Sequence, residues 1–249
     1  MTFAQFTKRY DTPERAAAAA RHYRWLHQHA KPLRQPTLHL AGPYSLTFER
    51  IEGRPARPED LPRIAELLGH AHGVAWRSDL RSASQGTAHH FHDGTRFDDY
   101  LGPRQTALRR RHEQGHLPDK ASLHAMLCLL NGTARGPFAF YKDSNPRNFI
   151  ITPAGDIVTV DTDDLSLAPM GYDLAKLIAT LHLTYGPLTE QAVKAALFAY
   201  NTAAGRYDAG LGATDRARLD DYLTLHAVLT APYIGRNGYD YGLPPYPRP

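Results

Sequence analysis

The stretch Tyr141-Lys142-Asp143-Ser144-Asn145-Pro146-Arg147-Asn148 sets an aspartate and an asparagine five positions apart in a segment of turn-forming residues. Two apolar segments flank it, Phe138 to Tyr141 and Phe149 to Ile151, and both read as strands. A third apolar strand, Ile157-Val158-Thr159-Val160, runs directly into Asp161, and Tyr172-Asp173-Leu174-Ala175 opens a helical segment. Asp161 follows Asp143 by 18 residues and precedes Asp173 by 12. Chemistry on a nucleoside triphosphate needs such a kit. One carboxylate receives or orients the proton of the attacking hydroxyl, while an amide oxygen and a second carboxylate hold Mg²⁺ against the phosphates. A lone D-x4-N carries little weight; four positions in register carry much more.

These residues resemble the aminoglycoside phosphotransferase/choline kinase family, small-molecule kinases built on the protein-kinase fold. The resemblance runs from about Phe6 to Leu181. It implies an α+β, protein-kinase-like two-lobed fold, with a shortened, strand-rich N-lobe over residues 1–53 and a larger helical C-lobe over 54–249. It further implies ATP and Mg²⁺ as cofactors and a hydroxyl of a small molecule as phosphate acceptor. Asp143 matches the family's catalytic aspartate, Asn148 its metal-binding asparagine and Asp161 the metal-binding aspartate of the D-F-G-like segment. Asp173 matches the aspartate of the D-L-A signature, expected to bond the loop backbone rather than substrate. Lys8, in Phe6-Thr7-Lys8-Arg9-Tyr10, looks like the lysine that neutralises α- and β-phosphates. Phe48-Glu49-Arg50-Ile51-Glu52-Gly53 resembles the hinge, with backbone contacts to the base expected at Glu49, Arg50 and Ile51.

The chain departs from the family in three places. No G-x-G-x-x-G precedes Lys8, and the helix position that would offer it a glutamate is Ala19. Both departures predict weak nucleotide affinity or slow turnover, or else a chain that starts upstream of Met1. Tyr141-Lys142 also replaces the family's usual His-Gly. Lys142 then favours ionised Asp143 and stabilises charge on the transferred group, or else points to solvent. Arg147 is a further candidate for touching phosphate oxygens.

At 249 residues, 42% hydrophobic and 22% charged, the composition is that of a globular protein. No apolar run approaches a membrane span and no signal-peptide pattern opens the chain, so a cytoplasmic location is the default expectation. Cys128 is the single cysteine, which excludes an intrachain disulfide; its apolar neighbours predict burial. The formal charge of +4 is too mild to imply nucleic acid, and Arg109-Arg110-Arg111 reads as a solvated helix face. From Thr162 onward nine acids meet seven bases. Such slight acidity does not call for a polycationic acceptor, and a neutral or anionic metabolite suits it at least as well. His89-His90-x-His92-Asp93 lacks a second ligand pair at zinc spacing.

Periodicity predicts a strand over Phe3 to Tyr10, a helix starting at Asp11-Thr12-Pro13-Glu14, and strands over Thr37 to Leu40 and Tyr44 to Ile51. Helices are expected over Leu61 to His72, Arg104 to Glu113, Lys120 to Leu130, Tyr172 to Leu183, Glu190 to Ala204 and Asp215 to Leu229. A long loop is expected from Ser78 to Asp99, and a proline-rich, non-helical tail after Gly242. The alternative from another class is a degenerate kinase-like protein that binds a small molecule or partner with little or no ATP turnover. A protein kinase fits less well, because no A-P-E-like segment ends an activation loop.

Overall fold

Thr12 opens the first helix because its hydroxyl accepts the Arg15 N–H, Pro13 needs no donor at that position, and Glu14 faces the helix's positive end. In the computed structural model, which describes residues 4–84 and 86–243, this helix α1 (Pro13–His29) follows strand β1 (Gln5–Arg9). Strands β2 (Leu38–Ala41) and β3 (Ser45–Glu49) complete an antiparallel sheet of order β1-β3-β2, in which Lys8 pairs with Leu46. Among the described residues β1 is therefore an edge strand. Ala19 and Ala20 of α1 pack on Leu46 as a small separate cluster. The opposite face of α1 sends Trp25 and Leu26 into the main core, where Trp25 meets the rings of Phe97 and Phe140.

The short strand β4 (Arg54–Pro55) leads into α2 (Leu61–Ser78), six residues longer than the sequence pattern predicted. The expected loop after it contains a two-strand hairpin, β5 (His89–His90) and β6 (Arg96–Phe97), anchored by buried Phe97. Helices α3 (Leu101–Glu113) and α4 (Lys120–Thr133) follow. Then come β7 (Phe138–Tyr141), β8 (Phe149–Ile151), β9 (Ile157–Thr159) and β10 (Ser166–Pro169). β8 pairs with both β4 and β9, while β10 pairs antiparallel with β7. Three helices close the described chain: α5 (Tyr172–Tyr185), α6 (Glu190–Gly205) and α7 (Arg216–Thr230). Every residue of α5 from Tyr172 to Leu183 is buried, as expected for a helix surrounded by others. Phe3 and the tail beyond Leu243 lie outside the described residues.

Two surface expectations need correction. Cys128 is exposed, because α4 buries only the face carrying Met126, Leu130 and Thr133, and Cys128 falls two residues off it. Arg111 is buried, unlike exposed Arg109 and Arg110, and its guanidinium bonds the Leu229 carbonyl and Gln114.

α2 and α6 cross where glycine allows it. A Cβ on Gly69 would lie 2.4 Å from the Tyr200 carbonyl oxygen and 3.0 Å from Ala203 Cβ. Gly69→Ala should therefore destabilise the protein by about 1–3 kcal/mol, read as a fall in the urea midpoint at unchanged slope. An unshifted midpoint would show that the two helices can separate at no cost.

Candidate active site

After β7 the chain turns through residues 142–148, and after β9 it turns again at Asp161. Both turns use left-handed backbone, with φ of 57° at Asp143 and 56° at Asp161. Such a conformation costs an L-residue about 1–2 kcal/mol and persists only where neighbours impose it. Here they do. Asp173, in the first turn of α5, accepts the backbone N–H of Ser144 at 2.8 Å and of Lys142 at 3.3 Å. Asn148 donates its side-chain amide to the Asp143 carbonyl at 3.0 Å, and Val160 N–H donates to the Asn148 carbonyl at 3.0 Å. The loop is thus fastened to α5 on one side and to the end of β9 on the other.

The Asp143 carboxylate is half exposed; its Oδ1 accepts from the Tyr141 hydroxyl at 2.7 Å and lies 3.1 Å from Lys176 Nζ. Burial alone would raise its pKa. The Lys176 charge and the bonds from Tyr141 and Lys176 outweigh that, and Asp143 stays below the ordinary carboxylate range. The cation in contact with Asp143 is therefore Lys176, which no motif in the sequence singles out. The available signal was its i,i+3 step from Asp173, which puts both on one face of α5.

Lys142, its chain neighbour, is 2% exposed, so the solvated alternative does not hold. Its Nζ lies 4.2 Å from the centre of the Phe149 ring and has no hydrogen-bond partner among the described residues. Burial pushes its pKa down, against the pull of Asp173, Asp143 and Asp161.

Lys8 does have ion-pair partners, contrary to expectation. Ala19 offers none, but Asp161 Oδ1 and Asp163 Oδ2 each lie 2.5 Å from Lys8 Nζ. Burial lowers the lysine's pKa, the two carboxylates more than reverse this, and the net shift is upward.

Three cavities meet at this point. One of about 500 Å³ is bordered by Lys8, Glu49, Arg50, Ile51, Arg147, Asn148 and Asp161, together with Phe6, Tyr23, Phe48 and Ile150. It brings together every residue expected to bind nucleotide or metal, while Asp143 and Lys142, expected at the chemistry, do not border it. At the hinge, Glu49 N–H is already bonded to Thr37 O and Arg50 N–H to Ala4 O; only the Ile51 N–H carries no bond within the described residues. A second cavity, of about 560 Å³, is bordered by Lys142, Asp143, Asn148 and Asp161. The third, of about 480 Å³, opens beside Asp143 between α3, α5 and α7.

Asn148 and Asp161 fit a magnesium ion by their chemistry: hard oxygen donors, with phosphate and water completing an octahedron. The Asn148 nitrogen is engaged, while its oxygen accepts no bond from the described residues; the Asp161 carboxylate is half exposed. Both border the first two cavities. Among the described residues no three His, Cys, Asp or Glu side chains are arranged to hold a metal. His89 of the histidine run instead packs edge-on against Phe91.

Behind Asp173 sits His72, 1% exposed, with Nδ1 2.8 Å from the Tyr200 hydroxyl and Nε2 4.0 Å from Asp173 Oδ2. Burial, helped by Lys142, drops its pKa to about 3 from 6.5. Between those values the unfolded chain binds a proton that the folded chain does not, so stability rises with pH through the window. It is fully present above pH 6.5, and about 2 kcal/mol of it should be gone at pH 5. His226 shifts in the same direction and adds to the loss. Urea midpoints that stay level from pH 7 to pH 5 would contradict a buried neutral His72.

The family model described as APH phosphotransferase enzyme family matches residues 3–219. No curated protein sequence matches the chain. Among solved structures, an aminoglycoside phosphotransferase from Alicyclobacillus acidocaldarius superposes with a TM-score of 0.58 at 15% identity, covering 92% of this chain and 74% of that one. Choline kinase LicA from Streptococcus pneumoniae gives 0.58 at 14% identity, covering 97% and 82%. An aminoglycoside phosphotransferase from Streptomyces rimosus, in complex with ADP and streptomycin, gives 0.52 at 20% identity, covering 91% and 87%. At these identities the likeness is one of fold. Among the described residues no helix is long and apolar enough to cross a membrane.

Proposed function

The chain belongs to the APH phosphotransferase enzyme family and has its kinase-like fold, and from that premise we propose that it transfers the γ-phosphate of ATP to a hydroxyl of a small molecule. The observation that carries the proposal is the meeting of cavities. Lys8, the hinge, Asn148 and Asp161 border one, and Asp143 borders the next. On this reading residues 1–53 supply the lysine and hinge, and residues 54–249 supply the catalytic loop and the acceptor region. The adenine lies between Phe48 and Ile150 with its edge at Ile51. Lys8 and Arg147 meet phosphate oxygens.

Asp143, ionised and held by Tyr141 and Lys176, takes the proton of the acceptor hydroxyl. The acceptor oxygen forms a bond to the γ-phosphorus as the bond to the β,γ-bridging oxygen breaks, and ADP leaves with that electron pair. Mg²⁺, held by Asn148 and Asp161, would supply charge neutralisation across the β- and γ-phosphates. Lys142, buried and without a hydrogen-bond partner among the described residues, adds positive potential behind the transferred group.

One observation favours the binding-protein alternative: Lys8 lies on an edge strand, with no further strand among the described residues covering the phosphates. Thermal-shift titration with ATP and Mg²⁺ separates the two. ATP at 100 times its Kd should add ~2.7 kcal/mol and raise the Tm accordingly. An unmoved Tm at millimolar nucleotide would remove ATP from the account.

A further inference from the structure

The cavity between α3, α5 and α7 has a wall of unusual charge. Arg104, Arg111, Arg147 and Lys176 border it, and Asp143 is the one acidic side chain among its described lining residues. Arg104 and Arg111 are 7% and 8% exposed, and neither has a carboxylate partner among the described residues. The Arg104 guanidinium lies 4.5, 4.9 and 4.7 Å from the ring centres of Tyr100, Tyr141 and Tyr172, and Nη1 donates to the Tyr100 carbonyl. Arg111 donates to the Leu229 carbonyl and to Gln114. Lys176 pairs with Asp143, whose Oδ1 it shares with the Tyr141 hydroxyl, and His226 is held neutral by burial and by the Lys176 charge.

Cations taken out of water are costly unless an anion meets them, and one carboxylate does not match this set. The acids of the last third do not help. Asp215 caps α7, Asp220 pairs with Arg216, and neither borders the cavity. A polycation entering here would meet four positive side chains against the single carboxylate of Asp143. A carboxylate or phosphate would be drawn to this positive potential and would offset the desolvation of the cations. Resting on the phosphotransferase reading, we propose that the acceptor is a hydroxylated small molecule that itself carries an anionic group. Arg104 and Arg111 hold that group while the hydroxyl faces Asp143, and the rings of Tyr233 and Tyr239, which border the cavity, pack against the acceptor's body.

The test works with an unidentified acceptor. A small-molecule extract is divided at pH 7 into anion-exchanger-bound, cation-exchanger-bound and unbound fractions. Each is incubated with the protein, Mg²⁺ and ATP labelled at the γ-phosphate. Label should pass to the anion-bound fraction. Treating that fraction with phosphatase beforehand distinguishes the two groups: surviving acceptor activity means a carboxylate, lost activity a phosphate. Label passing only to the cation-bound or unbound fraction would overturn the anionic assignment and leave the phosphotransferase reading standing. Label passing to none would overturn both. With the acceptor in hand, Arg104→Gln should raise its KM about tenfold with the KM for ATP held, the loss expected for one charge-assisted contact. Arg111→Gln serves where the first variant does not fold. An unchanged acceptor KM in a folded variant would overturn the proposed wall.

Discussion

Asp143→Ala should lower phosphate transfer by ~10²–10⁴-fold while leaving a folded protein, the loss typical when a positioned acid–base group is removed. The carboxylate is held low in pKa beside Lys176 and Tyr141, so it is ready to accept a proton at neutral pH. Alanine at a φ of 57° adds strain of about 1–2 kcal/mol, so Asp143→Asn is the companion variant, because asparagine tolerates left-handed backbone. Both should lose activity alike, and Asn should keep the parent's urea midpoint more closely. The measurement is ADP formation with and without acceptor. Undiminished acceptor-dependent ADP formation in either variant would take Asp143 out of the chemistry.

Asp161→Asn should lower transfer by ~10²–10³-fold and shift the magnesium requirement upward, because it removes a formal charge from the proposed ligand set while keeping shape and backbone tolerance. Asp161 shares the left-handed conformation, with φ of 56°, so the same isostere is suitable. The substitution also breaks the Lys8 pair. That pair is about a third exposed on the lysine side and half exposed on the aspartate side, so its loss costs under about 1 kcal/mol. A magnesium titration of ADP release at fixed ATP reads the effect. A variant with the parent's magnesium dependence would place the metal on other ligands.

The loop between β7 and β8 was legible as a loop because its ends are local. Strands Phe138–Tyr141 and Phe149–Ile151 stand where the apolar segments predicted, and Asp173 bonds the loop backbone across a distance the D-L-A spacing implies. What escaped is what depends on distant chain. Lys8 finds its partners beyond β9, whereas the sequence pattern pointed to the adjacent helix. Arg104 and Arg111 look like surface residues of a polar helix until α5 and α7 cover them. Cys128 failed in the opposite direction: an apolar run predicts burial, yet a helix with one covered face leaves part of that run outside. β4, β5 and β6 have two residues each, too few for alternation to register.

The clasp of Lys8 by Asp161 and Asp163 has a consequence for how ligands arrive. If Asp161 holds the metal as proposed, a divalent ion entering alone must displace an ammonium already seated on that carboxylate. An ion entering with a nucleotide brings phosphates that receive that ammonium, so each new contact replaces an old one. On the proposed function, metal and nucleotide should then bind with positive cooperativity, and linkage requires the benefit to be mutual: whatever factor the metal adds to nucleotide affinity, the nucleotide returns to the metal.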